Sequence, residues 1–155
     1  MASSEQAFWV QSMPGYLIRR LQQIAVGIFM EETKGFDLTP VQFAALEVIS
    51  ARPGLDQIGL SGAVAFDRTT IGGVVERLEA KGLIERRVGV ADRRTRELYI
   101  TAEGEGLLNQ LADPVARAQQ RILDPLLPEE RRLLLEMIGR VLETNNEFSR
   151  SPERA

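Results

Sequence analysis

Arg68, Thr69 and Thr70 stand at the start of a helical pattern, and Arg93 and Arg94 stand at the tip of a short hairpin some 25 residues on. A guanidinium is a planar fork of donors that matches a guanine edge or a phosphate. A threonine meets a thymine methyl through its own methyl, or a phosphate through its hydroxyl. From Arg68 to Arg96 the cations are Arg68, Arg77, Lys81, Arg86, Arg87, Arg93, Arg94 and Arg96, and the anions are Glu76, Glu79, Glu85 and Asp92. Eight against four gives a local +4, which leaves −7 for the remainder of a chain of net charge −3. An acidic body with one basic face suits contact with a polyanion through that face alone.

Other chemistries are closed by composition. The 155 residues include no cysteine and no histidine. Disulfides, thiolate metal sites and the commonest general base are therefore missing, and no phosphate-cradling glycine loop is present. The chain is not expected to be an enzyme, and neither a metal nor a cofactor is expected. No apolar run reaches the roughly 20 residues of a membrane span, and the first residues lack a basic-then-apolar leader pattern. The expected location is the cytoplasm, with no membrane partner.

The elements that must position these residues read clearly. Residues 1–7 are small and polar and are expected to fray. From Phe8 to about Lys34, Leu17, Leu21, Ile24 and Ile28 recur at helical spacing, widened by Ile18, Ala25 and Phe29. Pro14-Gly15 can offset a first turn, and Gly35 is a stop signal. Thr39-Pro40-Val41-Gln42 is a capping box with proline at the first helical position, followed by Phe43, Leu46 and Ile49 as an inward face. A short helix from Asp56 is expected to point Ile58, Leu60 and Val64 inward. Ala65-Phe66 turns, and Asp67 caps the next helix, whose Ile71, Val74, Val75 and Leu78 form one buried stripe.

Gly82 ends that helix. Leu83-Ile84 opens a strand, and Leu98 and Ile100 alternate with Glu97 and Tyr99 in its partner. Thr101 caps a helix to about Leu123, with Pro114 expected to kink or break it. Pro125 and Pro128 mark a loop before a last helix from Glu129 to Phe148. This order predicts a mainly α fold with a small β-hairpin wing: a winged helix-turn-helix over 38–101, flanked by helices at 8–34 and 102–148. The flanking helices have wider apolar stripes than so small a module needs to cover itself. The surplus is read as a homodimer interface.

In a helix-turn-helix the N-terminal end of the second helix meets the base edges. Arg68, Thr69 and Thr70 occupy that end, so contact with double-stranded DNA is expected; the plainer alternative is a surface turn in which they only cap the helix. Gly72 and Gly73 cost about 1 kcal/mol each against alanine. Either they admit a DNA backbone, Gly73 above all, or they pack tightly on the preceding helix. Arg77 lies off the buried stripe, open to a phosphate or to an ion pair with a nearby glutamate. Ser61 is a further phosphate candidate.

Across Phe66-Asp67-Arg68-Thr69-Thr70, Arg77-Leu78-Glu79-Ala80-Lys81-Gly82-Leu83-Ile84, Asp92-Arg93-Arg94 and Leu98-Tyr99-Ile100-Thr101-Ala102-Glu103-Gly104, the chain resembles the MarR (multiple antibiotic resistance regulator) family of transcriptional regulators. The resemblance runs from about Phe8 to Phe148. It implies a homodimer joined by its terminal helices and bound to a pseudo-palindromic operator. Most members are repressors released by a small, often aromatic, acidic ligand. It also places Arg93 or Arg94 in the minor groove, with Asp92 holding the wing by an ion pair. An effector, an aromatic carboxylate or its thioester, would lie between the dimerisation helices and the DNA-binding lobe. Trp9, Tyr16, Arg19 and Arg20 are the candidates to hold it, and Phe43 and Phe66 the candidates to line an apolar pocket. Arg20 falls at the border of the first helix's apolar stripe, Arg19 further round. An intersubunit salt bridge or a snorkelling arginine is the alternative for both. The chain departs from those members that sense oxidants through an N-terminal cysteine. The rival readings are a ligand-independent DNA-binding protein and a winged-helix protein-interaction adaptor.

Overall fold

A computed structural model describes residues 9–153. Residues 1–7, expected to fray, and Phe8, expected to begin the first helix, lie outside the described residues. A helical turn at residues 9–11 is set off by extended Met13 from helix α1, Pro14–Glu32, so Pro14 does offset a first turn. The remaining elements are α2 (Pro40–Ala51), α3 (Gln57–Val64), α4 (Arg68–Ala80), β1 (Ile84–Val88), β2 (Arg96–Ile100), α5 (Ala102–Leu123) and α6 (Pro128–Asn145), with a 3-10 turn at Asn146–Phe148.

The caps explain these boundaries. At α2, Thr39 Oγ1 accepts from the Gln42 amide while Gln42 Oε1 accepts from the Thr39 amide, the reciprocal box read from the sequence. Asp56, Asp67 and Thr101 cap α3, α4 and α5 by the same kind of side-chain acceptor. Gly82, at φ +70°, ends α4 and lets the Leu83 amide return to the Leu78 carbonyl. At the end of α3 the left-handed position is held by Ala65, φ 54°, where a glycine is the usual occupant.

One core joins α2, α3, α4, the hairpin and the first half of α5. It contains Leu46, Ile49, Leu60, Ile71, Val74, Val75, Leu78, Leu98 and Leu111, among others. Strands β1 and β2 pair antiparallel from Ile84↔Ile100 to Val88↔Arg96. The far edge of β2 is tied to the α2–α3 loop, where Leu98 exchanges amide hydrogen bonds with Gly54 and Leu55. The wing is thereby fixed to the helix-turn-helix along its β2 edge.

Two sequence expectations need correction. Ile58 was expected inward but is 56% exposed. The inward line of α3 is set by buried Leu60 and half-buried Val64 four residues on; Ile58, two residues before Leu60, points some 200° away. Pro114 does not break α5, which continues as one helix through it. Its missing amide costs one ladder hydrogen bond, and its ring is buried.

The flanking helices are differently built. Helix α1 packs along α5, joined by Glu32 to Arg117 at 3.1 Å, and by Arg121 to Glu32 at 2.9 Å and to Glu31 at 3.1 Å. Its other side leaves Leu17, Ile18, Leu21 and Ile24 exposed. Helix α6 contributes no buried residue, and Leu133, Leu135, Met137, Ile138, Val141 and Leu142 are open along it. Among the described residues no helix is long and apolar enough to cross a membrane.

Candidate DNA-reading surface

The stripe Ile71, Val74, Val75 and Leu78 is buried, so α4 is clamped from one side and its first turn is left outward. Arg68, Thr69 and Thr70 are all exposed. Asp67 accepts from the Thr70 amide and the Thr70 hydroxyl, both at 2.9 Å. Those bonds, the amide's first, hold the Asp67 carboxyl below its ordinary pKa. The cap therefore stays ionised and fixes the direction in which Thr70 presents its methyl.

The two glycines of α4 do not serve close packing. A β-carbon on Gly72 would find only Gln57 Nε2 at 3.9 Å, and one on Gly73 would meet nothing within 4 Å. Of the two explanations left open by the sequence, tight packing on the preceding helix has no contact behind it. Arg77 is exposed and forms no ion pair among the described residues, so the glutamate partner is not made. Ser61 is differently engaged. Its hydroxyl donates to the Phe66 carbonyl at 2.5 Å and closes the α3–α4 turn. A phosphate oxygen only accepts, so it would have to compete with that carbonyl for the Ser61 proton.

Arg93 and Arg94 are exposed in the turn between β1 and β2. Asp92 shapes this turn through local hydrogen bonds, and among the described residues it forms no ion pair. Its carboxylate accepts from the Arg94 amide at 2.9 Å, and its carbonyl accepts from the Thr95 hydroxyl at 2.8 Å. Short local bonds satisfy Asp92 and leave both guanidinium groups outward. Gly89 is required here, since a β-carbon would lie 2.4 Å from Thr95 Oγ1. Arg94, Thr95 and Arg96 share a cleft with Asp56, Gln57 and Ile58 at the start of α3. A second cleft, lined by Ile58, Ser61, Gly62, Asp67 and Arg68, opens on the far side of Ile58. Wing and recognition helix thus border one continuous surface with Ile58 at its middle.

The ligand candidates do not assemble within one chain. Arg19 lies 5.3 Å from the Tyr16 ring centroid, and Arg20 Nη1 donates to Tyr16 Oη at 3.4 Å, a loose cluster on exposed α1. Trp9 is 62% exposed. Phe43 packs against Phe29 with centroids 5.9 Å apart, at the edge of the core. Phe29 and Tyr16 are thirteen residues apart on one helix, about 20 Å at 1.5 Å per residue. Phe66 sits half-open at the α3–α4 turn.

This geometry, a capped recognition helix with a basic hairpin fixed beside it, has close counterparts. The sequence profile of the MarR family matches residues 36–95. The transcriptional regulator HosA of Escherichia coli is 31% identical over 108 residues, covering 70% of this chain and 80% of that one. The chain belongs to the MarR family. Among solved structures, this MarR-family chain resembles BpsR of Bordetella bronchiseptica, whose DNA binding is regulated by 6-hydroxynicotinic acid, with TM-score 0.81 and 27% identity over 84% of this chain and 94% of that one. It also resembles the transcriptional repressor CouR, solved bound to a 23-mer DNA duplex, with TM-score 0.79 and 28% identity over 84% and 93% of the two chains. As a MarR-family transcriptional regulator it is not an enzyme.

Sequence reading missed two features of this MarR-family surface. Arg86, counted only as one of eight cations, makes a two-pronged contact with Glu79 that joins β1 to α4. Its place seven residues after a helical glutamate, across a Gly82 stop, was the available signal. Arg87 stacks on the Tyr99 ring at 4.2 Å, and Tyr99 donates to Glu97 at 2.8 Å, a bond that raises the Tyr99 pKa. This cross-strand set stiffens the wing; its signal was the expected pairing of β1 with β2.

Proposed function

We propose that the chain acts in the cytoplasm as a homodimer on a pseudo-palindromic operator, as a repressor released by a small aromatic carboxylate or its thioester. The observation that carries the DNA reading is the first turn of α4. Arg68, Thr69 and Thr70 are outward while the opposite stripe is fully buried. Arg68 reads a base edge, Thr69 and Thr70 support it, and Gly73 and Arg77 meet the backbone of the same groove. Arg93 and Arg94 contact the adjacent minor groove. On this reading 38–101 is the DNA-binding lobe, and 8–34 and 102–148 are dimerisation helices.

The unburied α6 and the exposed outer face of α1 support the dimer. The dimer also bears on the effector. Tyr16 lies about 20 Å along α1 from Phe29 and its partner Phe43, so a single site that uses all the candidates, Trp9 and Phe66 included, is completed in the dimer. BpsR's response to 6-hydroxynicotinic acid supports the aromatic acid class. The acid's carboxylate is held by Arg20 and, less directly, Arg19. Binding there shifts the population toward a lobe spacing that no longer fits major grooves about 34–36 Å apart.

The experiment is a titration of the protein–operator complex with aromatic acids and their thioesters. Release by one compound, lost in Arg20→Ala with operator affinity retained, is the expected result. Complexes indifferent to every compound would overturn the effector assignment and leave DNA binding standing.

A further inference from the structure

The cleft beside Arg68 has a wall that comes from neither the wing nor the helix-turn-helix. Arg150, Ser151 and Pro152 line it together with Ile58, Ser61, Gly62, Asp67 and Arg68, around a volume of about 300 Å³. These three residues follow α6 and the 3-10 turn, more than 80 positions after Arg68. They are held in a closed loop by one side chain. Asn146 Oδ1 accepts from the Glu153 amide at 2.9 Å, and Asn146 Nδ2 donates to the Glu153 carbonyl at 3.1 Å. The asparagine amide thus pairs with both backbone groups of one residue as a neighbouring strand would, and Ser149 Oγ accepts from the Ser151 amide at 3.1 Å inside the loop.

The position of Arg150 on the surface follows. Ile58 borders this cleft and also the cleft that contains Arg94 and Arg96. The exposed arginines therefore flank Ile58 of α3: Arg94 and Arg96 of the wing border one cleft, and Arg68 and Arg150 border the other. Helix α3, the first of the helix-turn-helix pair, is the one that crosses the phosphate backbone. Two arginines, Arg68 and Arg150, line this cleft against one acidic residue, Asp67, which Thr70 already engages. Such a cleft favours an anion passing across it.

We propose that Arg150 contacts a DNA phosphate, extending the reading surface past Arg68 at the end opposite the wing, and that Asn146 holds the loop so that it can. This rests on the DNA-binding reading above. The contact is to the backbone, so it adds affinity without base choice. It also links α6, an element of the dimerisation region, directly to DNA.

The test measures binding of the full-length protein to a random-sequence duplex and to its own upstream DNA across a salt series, for wild type, Arg150→Ala, Arg150→Lys and Asn146→Ala. Each phosphate contact contributes roughly 0.9 to the slope of log K against log salt, so a dimer losing two should lose about 1.8. Arg150→Ala is expected to show that flatter slope on both duplexes and roughly tenfold weaker binding at physiological salt. Arg150→Lys should restore the slope, because a phosphate accepts a point charge. Asn146→Ala should move in the direction of Arg150→Ala. An unchanged slope in Arg150→Ala overturns the proposal, even with weaker binding, since the loop would then only brace the lobe. Failure of wild type to bind either duplex would overturn the DNA-binding reading itself, a separate result.

Discussion

Arg86 grips Glu79 with two hydrogen bonds, Nε to Oε2 at 3.0 Å and Nη2 to Oε1 at 2.8 Å, and so welds the first strand of the wing to the last turns of the recognition helix. The bonds lower the pKa of Glu79 and raise that of Arg86, so both stay charged throughout the working range. Both side chains are about one-third exposed, at 32% and 37%. The pair's direct share of stability is therefore small, about 1 kcal/mol or less. Its weight lies in fixing the angle between the two elements proposed to contact DNA.

Glu79→Gln separates that role from charge. Removing an anion from a DNA-facing lobe strengthens binding if only net charge matters. If the pair positions the wing, the substitution weakens binding and changes the melting temperature little. Weaker operator binding in a fluorescence titration is the expected outcome; tighter binding would show that the pair has no positioning role.

Ala65 occupies a left-handed backbone position that costs an alanine about 1 kcal/mol or more. Ala65→Gly relieves the strain, partly offset by the greater freedom of glycine in the unfolded chain. A net gain of roughly 0.5–1 kcal/mol is expected in denaturant unfolding at a fixed protomer concentration. A loss of stability would mean that the methyl group is needed where α6 and its following loop approach the turn.

Glu32 is gripped by Arg121 and Arg117, and their hydrogen bonds, Arg121's first, lower its pKa. A carboxyl with a depressed folded value adds stability that is complete above its unfolded value, about 4.3. That stability fades as pH falls through the folded value. The deficit of Glu32→Gln against wild type should be constant at neutral pH and close in acid. A deficit of the same size at every pH would show that the α1–α5 link does not act through ionisation.

Leu142 is 64% exposed on a helix with no buried residue. Leu142→Glu places a charge in the proposed dimer seam. Sedimentation should find a monomer with its winged-helix lobe still folded by circular dichroism. A dimer of unchanged affinity would remove α6 from the interface.

Local chemistry made most of the fold legible. The Thr39–Gln42 box, the Asp67 cap, the Gly82 stop and the alternation around Leu98 each act within a few residues, and each was found where read. Ile58 was misread because a short helix leaves its inward side undecided until Leu60 and Val64 meet their neighbours. Ser61 could not be read because its proton goes to Phe66 through a turn whose geometry depends on left-handed Ala65. The Arg150 loop was beyond reach, since only the return of α6 toward α3 brings it beside Arg68. The ligand candidates share helix faces, but sharing a face says nothing of the 20 Å or so along the axis that separates Tyr16 from Phe29 and its partner Phe43.

The most direct test is equilibrium binding of wild type and Arg68→Ala to the DNA upstream of the protein's own gene and to a random-sequence duplex, at several salt concentrations. The expected result is salt-dependent binding with a clear preference for the upstream DNA. Arg68→Ala should lose about 1–3 kcal/mol on that DNA and much less on the random duplex. Equal affinity of wild type for both duplexes, or a preference that survives Arg68→Ala intact, would contradict the assignment of the first turn of α4 as the base-reading element.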